Sequence, residues 1–226
     1  MEPGPFLAFD TSGAFGSVAV GVGTSVLAAR TLEAPQEHAS RLVPVIELVL
    51  ADAGTDKAAL DGIVVGEGPG SFTGVRVAAA TAKGLAHALG LPLWTFSSLA
   101  AAALAEDVGP IRYVLFDARS DRVYGACYGV GTTTVQELVG PHGGTLREVL
   151  HGDVTPGAVF VGDGARRHRA AIEGAGFPVG GAQTRSLAEG LLRLQSLRSE
   201  VGPVAHVASW EPHYVRASSA EPGWTP

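Results

Sequence analysis

The segment that most constrains the fold is residues 63–90. Ile63-Val64-Val65 is a compact apolar run of the kind buried on both faces of a parallel sheet. It runs directly into Gly66-Glu67-Gly68-Pro69-Gly70-Ser71-Phe72-Thr73-Gly74, with four glycines and a proline. An alanine-rich helix is predicted to follow over residues 75–88, capped by Gly90. Strand, loop and helix in this order form a crossover unit, with the next strand expected over 91–96. Glycine lets the backbone take positive φ and lets another group come close. Such a junction also turns backbone N–H groups and a positive helix end toward an anion, and Ser71 and Thr73 add hydroxyls. Neither the Gly-Lys-Ser/Thr of a Walker loop nor Gly-x-Gly-x-x-Gly spacing is present. On composition, a phosphate cradle and a tight packing turn are equal readings.

Upstream, the apolar runs 6–9, 17–22 and 25–31 are spaced as an antiparallel meander. Pro35 breaks the chain, and a helix is expected from His38. There Leu42, Val45, Ile46, Val49 and Leu50 recur at steps of three and four, and Gly54 ends the pattern. Downstream, Ser97-Ser98 caps a helix over 99–105. Antiparallel strands followed by strand–helix units imply a mixed sheet with helices on it.

The second half opens as the first does. Tyr113-Val114-Leu115-Phe116-Asp117-Ala118-Arg119 echoes Phe6-Leu7-Ala8-Phe9-Asp10-Thr11-Ser12. Each is followed by a turn and two further apolar runs, here 123–130 and 133–139, which points to an internal duplication. Helices are expected over 145–150, 166–173 and 186–197, and a strand over 158–161. The tail, 202–226, with Trp210, Tyr214 and Trp224, is expected to lie extended over the surface. This divides the chain into an N-terminal lobe, 1–107, and a C-terminal lobe, 108–226.

Composition removes several classes of function. With 46% apolar and 17% charged residues the chain is not intrinsically disordered. Its single cysteine, Cys127, excludes an intramolecular disulfide and a cysteine zinc cage. Residues 1–110 hold 5 basic and 11 acidic groups and account for the whole net charge of −6. No basic stripe for nucleic acid is seen; Arg166-Arg167-His168-Arg169 reads as a solvated helix face. Met1-Glu2-Pro3-Gly4-Pro5 has no basic region, and the apolar stretch 85–104 is interrupted by His87, Gly90 and Pro92. A soluble, cytoplasmic protein without membrane contact is expected.

Chemistry-bearing residues are sparse. Asp10 ends a strand beside Thr11-Ser12-Gly13, a turn able to hold a phosphate or, through Asp10, a metal or water. An aspartate that caps its own turn is the other reading, and spacing alone favours it. No two of the seven histidines stand at i, i+3 or i, i+4. His38 is expected to cap its helix or touch a neighbour, and Cys127 to be a small core residue. No nucleophile, base and orienter set emerges, so no catalytic residue and no metal ligand is assigned.

Several segments together resemble one family. They are Leu7-Ala8-Phe9-Asp10-Thr11-Ser12, His38-Ala39-Ser40-Arg41-Leu42, the stretch from Gly66 to Arg76, Ser97-Ser98-Leu99, Phe116-Asp117-Ala118-Arg119 with Val123-Tyr124, and Glu211-Pro212-His213-Tyr214-Val215-Arg216. In this order, over nearly the whole chain, they resemble the TsaB (YeaZ) family, the non-catalytic subunits of the bacterial system that makes tRNA N6-threonylcarbamoyladenosine at position 37. The resemblance implies an α/β, actin-like ATPase (ribonuclease H-like) fold with two lobes, each a mixed β-sheet flanked by helices. It implies a heterodimer with a homologue of TsaD, the catalytic paralogue, and joint action with a TsaE homologue and ATP. It also implies a homodimer when the chain is alone, and contact with tRNA only through the complex.

TsaD carries a metal-binding His-x-x-x-His; Ser98 and Ala102 stand at the matching positions here. A hydroxyl and a methyl cannot hold a transition metal at that spacing. An accessory subunit is therefore expected, with no tightly bound cofactor and ATP or ADP only at the complex interface. The runner-up reading is a stand-alone actin-fold kinase or ATPase with degenerate phosphate loops. The resemblance assigns the partner interface to helices over 38–53 and 73–88, with His38, Arg41, Leu42, Val45, Thr73, Arg76, Val77, Ala80 and Lys83 as candidates. A large charged residue at Ala79 or Ala80 is expected to abolish pairing and leave the fold intact. Asp10, Thr11, Ser12, Gly70 and Ser71 are the candidate nucleotide or anion contacts.

Overall fold

A computed structural model describes residues 4–33 and 37–215. Pro35, Arg216 and Trp224 lie outside the described residues. The first sheet contains β1 (Phe6–Asp10), β2 (Gly16–Val22), β3 (Ser25–Leu32), β4 (Gly62–Gly66) and β5 (Leu93–Phe96), in the order β3-β2-β1-β4-β5. The expected meander is there: β1 pairs antiparallel with β2 and β2 with β3, while β4 joins β1 in parallel. The second sheet contains β6 (Ile111–Asp117), β7 (Arg122–Val130), β8 (Val135–Thr145) and β9 (Val159–Val161), in the order β8-β7-β6-β9. Its pairings repeat those of the first four strands, with β9 parallel to β6. Phe160 makes an isolated parallel bridge with Val179 where a fifth strand would stand. The echo between Asp10 and Asp117 is thus a repeat of topology, as the two-lobed fold expected from the resemblance requires.

Helices α1 (His38–Asp52), α2 (Phe72–Leu89), α3 (Ser98–Leu104), α4 (Leu146–His151), α5 (Asp163–Arg167), α6 (Arg169–Gly174) and α7 (Leu187–Leu197) complete the framework. Helix α2 begins before the expected residue 75 because the Ser71 side chain caps it, accepting from Gly74 N. The single helix expected over 166–173 is two short ones that meet at His168. The third strand of the second sheet runs on to Thr145 rather than ending at 139.

Strand alternation sorts the core into layers. Leu7, Phe9, Val18 and Val20 face α1 and α2, meeting Leu42, Ile46, Val49, Ala78 and Ala82. Phe6, Ala8, Ala19 and Val64 point the other way, into a core shared with Val114, Phe116, Ala126 and Tyr128 of the second sheet. Helices α3 and α7 fill the space between the sheets; α7 lies on β1 and β2, α3 on β6 and β7. All seven residues of α3 are buried. A Cβ at Gly190 would run into the Ala101 carbonyl, so only glycine allows α7 to cross α3 this closely. The outer face of the second sheet is covered by α4, α5 and α6 through Leu146, Val149, Ala165 and Ile172. Residue 107 separates the two sheets, but α7 comes from the later segment and covers the back of the earlier sheet.

Candidate functional site

Asp10 ends β1 fully buried, and its carboxylate is used within the chain. Oδ1 accepts from Ser12 N and Ser12 Oγ, each at 2.6 Å, and Oδ2 accepts from Ser98 Oγ at 2.6 Å. Burial pushes its pKa above the ordinary 3.8, opposed by those hydrogen bonds. The turn-capping reading is therefore the one seen, with a tie to α3 added.

The glycine loop is locked to the same turn. Thr11 Oγ1 donates to Gly74 O at 2.6 Å and Ser71 N donates to Ser12 O at 2.7 Å. Gly68 N donates to Ser98 Oγ, and Gly74 N to Ser71 Oγ. A Cβ at Gly74 would strike the Thr11 carbonyl. Glu67, Gly68, Ser71 and Gly74 spend their N–H groups on Phe96, Ser98, Ser12 and Ser71, so this part of the loop is a tight packing turn. Of the five candidate anion contacts, Asp10, Thr11 and Ser12 are buried with their side chains engaged. Gly70 and Ser71 line an open cleft.

That cleft lies between the lobes. One chamber, of about 960 Å³, is lined by Ala39, Gly70 to Val75, Asp117 to Arg119, Tyr124 and His213 to Val215. Across the Gly13–Ala14 turn, a second, of about 590 Å³, is lined by Phe15, Arg30, Arg166 and residues 182–187. Asp163 lies in both, its pKa raised by burial although it accepts from the backbone of Asp117 and Gly164. Arg119, Ser120 and Asp121 all take positive φ at the cleft mouth, a rare conformation for residues with a Cβ. Among the described residues, no group of three or more His, Cys, Asp or Glu side chains is placed to hold a metal ion.

The candidate interface residues separate into two sets. His38, Leu42 and Val45 are buried against the first sheet and do not present a surface. This corrects their assignment: the three-and-four stripe that marks a helix also marks the side its own core consumes. His38 Nε2 accepts from Gly16 N at 3.1 Å, and burial pulls its pKa below 6.5. Arg41, Thr73, Arg76 and Ala80 are exposed, and Val77 and Lys83 half-buried. Ala79 is buried, so a large charged residue there would disrupt the lobe, and the expectation of an intact fold stands only for Ala80. Sequence reasoning missed Val43 and Leu48, 45% and 47% exposed on the outer side of α1, and Phe72, 46% exposed at the start of α2. Their signal was available: apolar residues out of register with the buried stripe of an amphipathic helix.

The tail returns across this lobe. Val204 N donates to Leu93 O at 2.7 Å, and Trp94 Nε1 to Val201 O at 3.0 Å, which covers the edge of β5. Further on, His213 N donates to Glu67 O, and the chain then reaches Phe72 and Arg76. Among the described residues, no helix is long and apolar enough to cross a membrane.

Comparison with known proteins bears on these elements directly. The family model of TsaD, tRNA N6-adenosine threonylcarbamoyltransferase, matches residues 31–161. An uncharacterized protein of Mycobacterium tuberculosis is 39% identical over 145 residues, 64% of this chain and 64% of that protein's length. The match thus spans less than two thirds of the mycobacterial relative. The tRNA threonylcarbamoyladenosine biosynthesis protein TsaB of Bacillus subtilis is 30% identical over 226 residues, covering 96% of each chain. The solved structure of YeaZ from Pseudomonas aeruginosa superposes with a TM-score of 0.76 at 28% identity, covering 93% of this chain and 99% of that one.

Proposed function

The chain belongs to the TsaB (YeaZ) family, and on that premise we propose that it acts in tRNA N6-threonylcarbamoyladenosine biosynthesis as a non-catalytic scaffold and activator. Its partner is a homologue of TsaD, held through the outer faces of α1 and α2. A TsaE homologue and ATP act on the resulting complex, nucleotide enters at the complex interface, and tRNA is engaged through the complex. Without the paralogue, the same face pairs two copies of this chain.

The observation that carries this reading is the outer face of the first lobe. Val43 and Leu48 stand exposed on α1, and Ala80 and Gly84, both small and exposed, open the surface of α2. Large apolar side chains facing water beside a stripe of small ones mark a surface made for another helix pair. The accessory role is supported by Ser98 and Ala102. Both are buried, and the Ser98 hydroxyl is committed to Asp10 and Gly68. These positions serve packing and offer no open ligand set.

Size exclusion with light scattering tests the proposal, on the chain alone and mixed with the TsaD homologue of the same source. A one-to-one complex replacing homodimer or monomer is expected. Absence of any complex, with and without ATP and the TsaE homologue, would overturn it.

A further inference from the structure

The outer face of α2 carries two cations, Arg76 and Lys83, seven residues and so about two helical turns apart. Among the described residues, neither meets a carboxylate, although seven other ion pairs form on the chain. Both are instead held by the tail. Arg76 Nε donates to the Tyr214 hydroxyl at 3.2 Å, and its guanidinium lies 3.7 Å above the Phe72 ring. Tyr214 closes the group from the other side, its ring centroid 5.8 Å from that of Phe72. Lys83 Nζ donates to Ala208 O at 3.1 Å and lies 5.9 Å from the Trp210 ring. Phe72 and Tyr214 both remain substantially exposed.

Such an arrangement is costly to build for stability alone. Long cationic side chains lose rotamer freedom when fixed at a surface. An aromatic face and a neutral acceptor fix the direction of a cation without neutralising it. The charge then stays available to an outside anion, in a preorganised position. The first half of the chain is acidic overall, so two cations that meet no carboxylate among the described residues are a local reversal of sign on its outer helix.

We propose that the C-terminal segment 208–215 belongs to the docking face for the catalytic paralogue: Tyr214, and less directly Trp210, are positioning residues that aim Arg76 and Lys83 at carboxylates of the partner. This rests on the interface reading above and adds its chemistry. Apolar contact comes from Val43, Leu48 and the small residues of α2; orientation comes from the two tail-held cations.

The test is a double-mutant cycle read by calorimetric titration with the purified paralogue, at low and at high salt. Tyr214→Ala is expected to weaken association roughly tenfold at low salt, in the range of charged interface contacts, and less at high salt. Tyr214→Phe keeps the ring and loses only the hydroxyl, and is expected to cost about threefold, the size of one modest hydrogen bond. In an Arg76→Ala background Tyr214→Ala should cost nothing further, whereas a merely structural tail would leave the two losses additive. Additive losses, or wild-type affinity for Tyr214→Ala, overturn the proposal and leave the interface reading standing. If Leu48→Glu also binds as the unmutated chain does, the interface reading itself is wrong and the proposal falls with it.

Discussion

The two lobes repeat one topology and clothe it differently. The outer face of the first sheet carries two long helices, α1 and α2, with Val43, Leu48 and Phe72 turned to water. The corresponding face of the second sheet carries three helices of five or six residues, α4 to α6. That surface is tied down by charge: Arg167 meets Asp117 at 2.9 Å, Arg169 meets Glu173 at 2.8 Å, and Arg166 meets the buried Glu106 at 2.7 Å. The first face also bears ion pairs, Arg30 with Asp52 and Arg41 with Glu37, but leaves large apolar side chains in water beside them, whereas the helices on the second are much shorter. One repeated topology thus carries two outer faces of different surface chemistry, and on the proposed reading the first of them is the one that pairs.

The strongest way to break this contrast is a charge on the apolar face. Leu48→Glu is expected to weaken association with the paralogue by at least about thirtyfold, the scale of an interface hot spot near 2 kcal/mol. Glu173→Lys on α6 should leave association unchanged, and both can be read in one titration series. Loss of association in the α6 variant would erase the distinction between the lobes.

Next in size is the junction that holds the two copies together. Gly190→Val drives a side chain into the Ala101 carbonyl where α7 crosses α3. A loss of about 3 kcal/mol is expected in urea unfolding, at the upper end for overpacking. Ser98→Ala is smaller. It leaves Asp10 Oδ2 buried without its donor and is expected to cost about 2 kcal/mol. Thermal melts that match the unmutated chain would show that the Asp10 turn is not what secures α3.

The smallest effect is a pH dependence confined to the first lobe. Burial keeps the His38 ring neutral, with a folded pKa below the 6.5 of the unfolded chain. Above 6.5 its contribution is fully present; as pH falls below that, the unfolded chain gains a proton the folded one refuses, and stability is lost. Asp10 acts with the opposite sign, because its folded pKa is raised above 3.8 by burial and its protonation favours the folded state. His38→Gln should therefore flatten the fall in Tm between pH 7.5 and 5.5. An equally steep fall in the variant would place the titrating group elsewhere.

Much of this was legible in local pattern. The meander, the β4–loop–α2 unit and the cap at Ser97 rest on interactions within a few residues, and local sequence pattern records those. The echo of Asp10 in Asp117 was enough to expect two lobes. The site was less legible. The apolar stripe of α1 points equally to a core and to a partner, and only its distance from the sheet shows that Leu42 and Val45 belong to the core. The glycine loop allowed a cradle or a tight turn, and the structure shows the N–H groups of Gly68, Ser71 and Gly74 bonded to Ser98, Ser12 and Ser71.

By itself the sequence determined the order and kind of most elements, because each is written in spacing along one stretch of chain, and the echo of one strand–turn–strand run in another pointed to two lobes. Tertiary structure alone decided which face of α1 stays open, that α7 crosses back to cover the first sheet, and that Tyr214 reaches Arg76 across 138 positions. Those outcomes depend on which surfaces meet once the layers stack, and no local period encodes contacts between residues so far apart in the chain.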